Sequence, residues 1–332
     1  MKEKILSLII PMYNSRNYIE KCLDSLIIER NIGKIEIIVV NDGSTDGCEK
    51  IVAKYRKKYP DTINLISQSN GGHGAAVDKG IESCCGTYFK VIDADDWVIN
   101  EKLDKFVDIL IGIRKTDVVV CGFELYDIQT KVTTIISTPT RDVEYYSMKS
   151  IMENWMPYRN VFTLHGMTYR TDFYRSYGIP LPHKVFYDDA IYITIAASMA
   201  GSICVINQNL YVYRVGDQNQ SVSKLSRVKR IKHVEKVIQI MCDAEKIERT
   251  KAGQSYWQYK TRSVITDFFV TAFLRYDDKK EGRKEAKCML QKIIAKHPNI
   301  ADKIIGRYRL LLMMSYLHMG EEQFNKLLDL RK

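Results

Sequence analysis

Between Ile5 and Cys121 short apolar runs alternate with stretches of helical periodicity, and this alternation confines the chain to a mostly parallel sheet covered by helices. The runs are Ile5–Pro11, Ile35–Val40, Thr62–Ser67, Thr87–Ile92 and Asp117–Cys121. Ile35–Val40 is rich in β-branched residues, which suit a pleated strand. Helices are predicted between them. One follows Ser15, read as its cap, with Tyr18, Ile19, Cys22, Leu23 and Leu26 on one face. Others follow Asp46 as far as Tyr59, span Gly72–Cys84, and span Leu103–Ile113. In such α/β sheets ligands bind beyond the carboxyl ends of the strands, and the polar motifs of this chain fall there.

Past residue 122 the pattern turns irregular, with strands expected at Lys131–Ser137 and Leu210–Arg214 and helices at Ser147–Trp155 and Asp188–Ala200. From 224 only helical periodicity remains, and the charge changes with it. Residues 224–332 hold 25 Lys+Arg against 13 Asp+Glu, whereas residues 1–223 hold 25 against 27. The expected organisation is therefore an α/β domain over 1–223, with a nucleotide-binding half to about 121 and an acceptor half over 122–223, followed by a basic helical region over 224–332. No run approaches the ~18 apolar residues of a spanning helix. The start, Met1-Lys2-Glu3-Lys4, leads into an apolar run too short for a secretory signal, so a cytoplasmic protein with its eight cysteines free is expected. No basic motif with interleaved aromatics suggests a nucleic-acid partner.

Four motifs carry chemistry. Asn41-Asp42-Gly43-Ser44-Thr45-Asp46 follows the second strand, where a carboxylate can accept from a base or ribose; an Asx turn that caps a helix accounts for it equally well. Gln68-Ser69-Asn70-Gly71-Gly72-His73-Gly74 opens a helix whose free N–H groups favour phosphate, with a tight structural turn as the competing reading. In Asp93-Ala94-Asp95-Asp96, three carboxylates within four positions repel one another unless a cation intervenes, and oxygen ligands of this kind suit Mg²⁺ or Mn²⁺. Phe186-Tyr187-Asp188-Asp189 stands before a helix, where aspartates are ordinary caps. His73 alone reads as a loop residue.

In this order and spacing the motifs resemble the inverting family-2 glycosyltransferases with the GT-A fold, over roughly residues 5–223. Ser7–Asn14 is similar to the family's opening strand and loop, Glu36–Asp46 to its second-strand motif, Asp93–Asp96 to its D-x-D region, and Phe186–Asp189 to its later acidic pair. The resemblance implies a Rossmann-like sheet and transfer of a sugar from a nucleotide-sugar donor, with uridine or thymidine as base, to a glycan or lipid-linked acceptor. It implies donor contacts from Pro11, Tyr13 and Asn14, from Asp42 (the base) and Ser44, from Asn70 and Gly74, and from Asp93 and Ala94. Asp95, with Asp93, would hold Mn²⁺ or Mg²⁺. Asp189 would be the general base, with Asp188 as the alternative. Tyr211–Arg214 and Gln220-Ser221-Val222-Ser223 resemble segments that close the site in bacterial members. The family's A-R-N-x-G is Ala76-Val77-Asp78-Lys79-Gly80 here, so its arginine is missing and Lys79 replaces it only if it faces the donor. A nucleotidyltransferase and a non-catalytic sugar-nucleotide-binding or carbohydrate-binding protein are the competing readings. The basic region is expected to meet an anionic membrane at the inner face of the cell, or a second copy of the chain.

Overall fold

A computed structural model describes residues 3–113, 115–217 and 223–329. The chain divides into two compact units, Met1–Asp217 with Arg249–Gly253, and Gln218–Glu248 with Gln254–Lys332. Gln220-Ser221-Val222 of the expected site-closing loop lies outside the described residues.

The first unit is built on a ten-stranded sheet of order β3-β2-β1-β4-β9-β6-β10-β5, with β7 (Thr133–Ile136) paired to β6 and β8 (Val143–Tyr146) to β10. Its strands are β1 Leu6–Met12, β2 Ile35–Asn41, β3 Ile63–Ser67, β4 Tyr88–Val91, β5 Trp97–Val98, β6 Val118–Asp127, β9 Met167–Arg170 and β10 Ile203–Val215. β1, β2, β3, β4, β6 and β10 run one way; β9 is wedged antiparallel between β4 and β6. The expected α/β architecture is thus present. All residues of β1 are buried, and six of the seven in β2. Helices α1 (Ile19–Leu26), α2 (Cys48–Lys58), α3 (His73–Ser83) and α4 (Asn100–Gly112) connect the first strands. Short helices α5 (Met148–Glu153), α6 (Trp155–Tyr158), α7 (Thr171–Tyr177) and α8 (Asp189–Tyr192) follow. All eight cysteines are free.

Three expectations are corrected. Ser15 does not cap α1 with its side chain, because its hydroxyl donates to the Tyr13 carbonyl and the helix begins only at Ile19. The helix read over Asp188–Ala200 stops after Tyr192. There the Tyr169 hydroxyl donates to the Tyr192 carbonyl (3.0 Å), which a continuing helix would need for Ala196, and Ile193-Thr194-Ile195 is a β-branched run of low helix propensity. The strand read at Leu210–Arg214 is the end of a much longer one, β10, whose pairing to β6 shifts register around Asn209. That irregularity hides the strand's first half from period-two reading.

α3 lies against β1 at Gly80, where a Cβ would come within 2.2 Å of Ile9 Cγ2. The glycine is what lets helix and strand approach.

The second unit comprises α9 (Lys224–Lys229), α10 (Ile231–Asp243), α11 (Lys251–Val270) from Gln254 onward, α12 (Lys279–Lys296), α13 (Pro298–Tyr316) and α14 (Glu321–Asp329), with a π-helical turn at Thr271–Arg275. Several of its basic residues are paired, Arg227 with Asp267 at 2.7 Å and Lys232 with Glu285 at 2.6 Å. The apolar run Leu310–Met314 is not one face. Leu311 and Met314 are fully buried while Met313 turns outward. Among the described residues no helix is long and apolar enough to cross a membrane.

Gly80→Ala is expected to lower stability by roughly 1–3 kcal/mol through overpacking, against the usual gain of Ala in a helix. Urea unfolding checks this, and combining it with Ile9→Ala should cost less than the two single losses together, because both act at one contact.

Candidate active site

The loops after β1, β2 and β3 meet at one end of the sheet. The Asn14 amide donates to Ser44 Oγ (3.0 Å), and Asn14 Oδ1 accepts from the Thr45 amide (2.8 Å). Pro11 is buried and Tyr13 is exposed. Asp42 is only 2% exposed. Its Oδ1 accepts from Gln68 Nε2 and the Gly71 amide, and its Oδ2 from the Gly72 amide, all at 2.8 Å. The carboxylate thus fastens the glycine loop to β2 before any ligand arrives. Gly72, at φ +88°, has the Lys184 nitrogen 2.8 Å from where its Cβ would stand. Asn70 is exposed and Gly74 buried beside Asp188.

The acidic turn after β4 divides its three carboxylates among different partners. Asp96 is 1% exposed; its Oδ2 accepts from the Tyr211 hydroxyl (2.5 Å) and its Oδ1 from the Arg214 amide (2.8 Å). Burial, then the charges of Asp93 and Asp95, push its carboxyl well up. The Asp95 side chain is 39% exposed, and the Arg214 guanidinium stands 4.0 Å away. Burial and then the charge of Asp93 push it up to about 6, partly offset by Arg214. Burial alone would raise Asp93 too, but the hydrogen bond and charge of His73 outweigh it and hold Asp93 below the usual range. Ala94 is buried between them.

His73, the first residue of α3, bridges two motifs. Its Nδ1 is 2.9 Å from Asp188 Oδ2 and its Nε2 3.3 Å from Asp93 Oδ1. Burial would lower the imidazole, but the Asp188 charge and hydrogen bonds to both carboxylates keep it well above its ordinary value. Asp188 is buried, whereas its neighbour Asp189 is exposed and its charge acts on Tyr213. Tyr187 before them has φ 68°.

His165 completes the far wall. Its ring stacks on Tyr213 with centroids 4.1 Å apart and packs edge-on against Tyr211. Burial pushes it down to about 4, so it is neutral. Among the described residues, Asp93, Asp96 and His165 bring ligand atoms within 4.8 Å of one another. The loop carrying His165 is held by Lys90, fully buried on β4, whose Nζ donates to the carbonyls of His165 (2.6 Å) and Met167 (3.1 Å).

The donor set fits a divalent cation. Asp93 and Asp95 repel each other, and a neutral imidazole and carboxylate oxygens are both ligands for Mn²⁺. Asp96 is the poorer ligand of that group because both its oxygens already accept hydrogen bonds, and Asp95, expected as a ligand, does not fall within the group. Lys79 is turned to the surface, paired with Glu82 at 3.2 Å.

Sequence reading missed His73, His165 and Lys90. The only local signals were a histidine at a helix start and a lysine interrupting an apolar run.

Residues 7–178 match the family model described as Glycosyl transferase family 2. An uncharacterized glycosyltransferase of Bacillus subtilis (strain 168), EpsJ, is 29% identical over 213 residues, 63% of this chain and 61% of EpsJ. One from Rickettsia typhi is 40% identical over 124 residues, 37% of either chain. The match thus spans about three fifths of the first relative and little over a third of the second. Among solved structures, residues 1–349 of TarS from S. aureus in complex with UDP-GlcNAc align with TM-score 0.66 at 18% identity, covering 95% of this chain and 92% of that one. The mannosyltransferase PcManGT from Pyrobaculum calidifontis, in complex with GDP-Man and Mn²⁺, aligns with TM-score 0.52 at 15% identity, covering 95% and 85%. At these identities the likeness is one of fold.

Burial pushes the Lys90 ammonium down to about 8. Its folded-state value lies below the unfolded one, so burial costs stability below about pH 8. That cost is relieved as pH rises, because the unfolded chain then holds a proton the folded one has released. A neutral amine still has N–H groups for both carbonyls. The stability of the wild type relative to Lys90→Met should therefore rise by on the order of 1 kcal/mol between about pH 7.5 and pH 9.5, measured by urea unfolding.

Proposed function

The chain belongs to glycosyl transferase family 2, and from that premise we propose that it moves a sugar from a UDP-sugar to an acceptor hydroxyl with inversion. The acceptor is a glycan or a lipid-linked glycan of the cell surface. The observation that carries this reading is the convergence of three motifs, with His73 tying the acidic turn at Asp93 to the Asp188–Asp189 pair. TarS, in complex with UDP-GlcNAc, supports the donor class.

The donor half reaches to about residue 121 and the acceptor half spans 122–223. The nucleotide lies over the loops at Pro11–Asn14, Asp42–Ser44 and Asn70–Gly74, with Ala94 and Asp93 toward the sugar. Because the Asp42 carboxylate already accepts from Gln68, Gly71 and Gly72, a base would meet it through its remaining lone pairs. Asp95 with Asp93 would hold Mn²⁺ or Mg²⁺, which when bound supplies positive charge against the departing diphosphate. Asp189 takes the proton of the acceptor hydroxyl as its oxygen attacks the anomeric carbon and the bond to the diphosphate breaks. Its exposure supports this role, since Asp188 is buried against His73. One displacement inverts the centre. The enzyme works in the cytoplasm, and the basic region of 224–332 brings it to the inner face of the membrane or to a second copy. Leu225, Tyr316 and Leu317, more than 60% exposed, support such a contact.

Asp189→Asn should lower kcat by about 10²-fold or more with UDP binding nearly unchanged. Single-turnover rates beside UDP titration decide it, and a fully active Asp189→Asn would move the base elsewhere. Asp95→Asn should abolish transfer and weaken Mn²⁺ binding in calorimetry, while leaving the unfolding midpoint close to that of wild type. Transfer by wild type that persists in EDTA would remove the metal from the proposal.

A further inference from the structure

His73 belongs to neither the donor contacts nor the acidic pair, yet it touches both. Its ring is 33% exposed, and each nitrogen faces a carboxylate oxygen, Asp93 on the turn after β4 and Asp188 at the head of α8. The backbone on either side is anchored. Behind it, the Gly71 and Gly72 amides are held by Asp42. The Gly71 carbonyl accepts from the Lys184 amide at 2.7 Å. Ahead of it, Gly74 leaves no room for a side chain: a Cβ there would meet Asp188 Oδ2 and Leu181 Cβ, both at 2.8 Å. One turn further, Asp78 Oδ2 accepts from the Leu181 amide at 2.7 Å. The glycine loop and the segment leading into α8 are therefore stitched together at several points, with His73 where the stitches reach the two acidic motifs.

We infer that His73 is a positioning residue: by bridging Asp93 and Asp188 it fixes the donor side of the site relative to the base side, at the turn that carries Asp189. This rests on the reading of the site as a glycosyl-transfer centre. The physical argument is one of register. α8 is a single turn that begins where Tyr187 has φ 68°, so the placement of its head depends on what the turn is tied to. The Asp188 side chain ties that head to α3, which carries both His73 and Gly74 and is itself packed on β1. A base displaced by about 1 Å from its line to the acceptor can cost 10²-fold in rate without changing how the donor binds.

The test uses the full chain with His73→Ala, His73→Gln (similar in length, one donor retained), Asp188→Asn and the double variant His73→Ala/Asp188→Asn. The expected result is a fall in kcat on the order of 10–100-fold for His73→Ala, with the KM for the UDP-sugar and the unfolding midpoint little changed. His73→Gln should be intermediate. The double variant should be no slower than the slower single one, because both changes break the same bridge. Multiplying losses, or losses that track the unfolding midpoint, would overturn the inference. Amide hydrogen exchange over residues 186–194 reports on the same bridge without turnover. Protection there should drop in His73→Ala while β1 and β2 keep theirs, and unchanged protection overturns the positioning role. If the wild type transfers no sugar but the exchange difference appears, the reaction assigned to the site fails and the bridge stands.

Discussion

Mutual repulsion among carboxylates at one end of the sheet governs this site. Two charges about 4 Å apart at a partly shielded position interact by about 4 kcal/mol, comparable to the loss of a large core side chain. Each carboxylate here meets that cost differently. Asp96 is buried behind Tyr211 and the Arg214 amide, with its carboxyl driven upward. Asp93 and Asp188 share His73. Asp95 keeps a distant Arg214, which is itself drawn to Asp217 at 3.0 Å. The least compensated of the four is also the most exposed.

The sheet that presents these groups was legible because its strands carry a strong signal. Ile35-Glu36-Ile37-Ile38-Val39-Val40 could be little else than a buried strand, and the motif after it had to stand at a sheet end. Strand positions came out close to those observed for β1 to β4. Errors began where long-range hydrogen bonds overrule local preference. The Tyr169 hydroxyl, on β9, takes the Tyr192 carbonyl where the helix ends, and a register shift near Asn209 disguises half of β10. Neither partner is near in sequence to what it alters, so no window of the sequence contains the cause.

The acidic motifs were equally legible, because clustered charge is unusual in itself. Single residues that answer the charge were not. Lys90 reads as a flaw in an apolar strand until its ammonium is seen donating to two carbonyls of the loop that carries His165. His73 reads as a loop residue until both nitrogens are placed. These are compensations, and a compensation has meaning only beside what it compensates. A buried lysine or histidine in such a fold therefore points to a polar demand elsewhere, even when the demand is invisible in sequence.

Asp188 and Asp189 show how far position can separate chemically identical neighbours. Successive residues at the head of a helix point about 100° apart, so one can be buried while the next faces out. Asp188 supplies its carbonyl to the Ile191 and Tyr192 amides and its side chain to His73, and is spent on structure twice over. Asp189 stands exposed, within electrostatic reach of Tyr213. A carboxylate that must collect a proton from an arriving hydroxyl has to be reachable by it. If Asp189 is the base, the contact that holds Asp188 also holds the turn on which Asp189 stands, so the two residues would form one device with a fixed half and a working half.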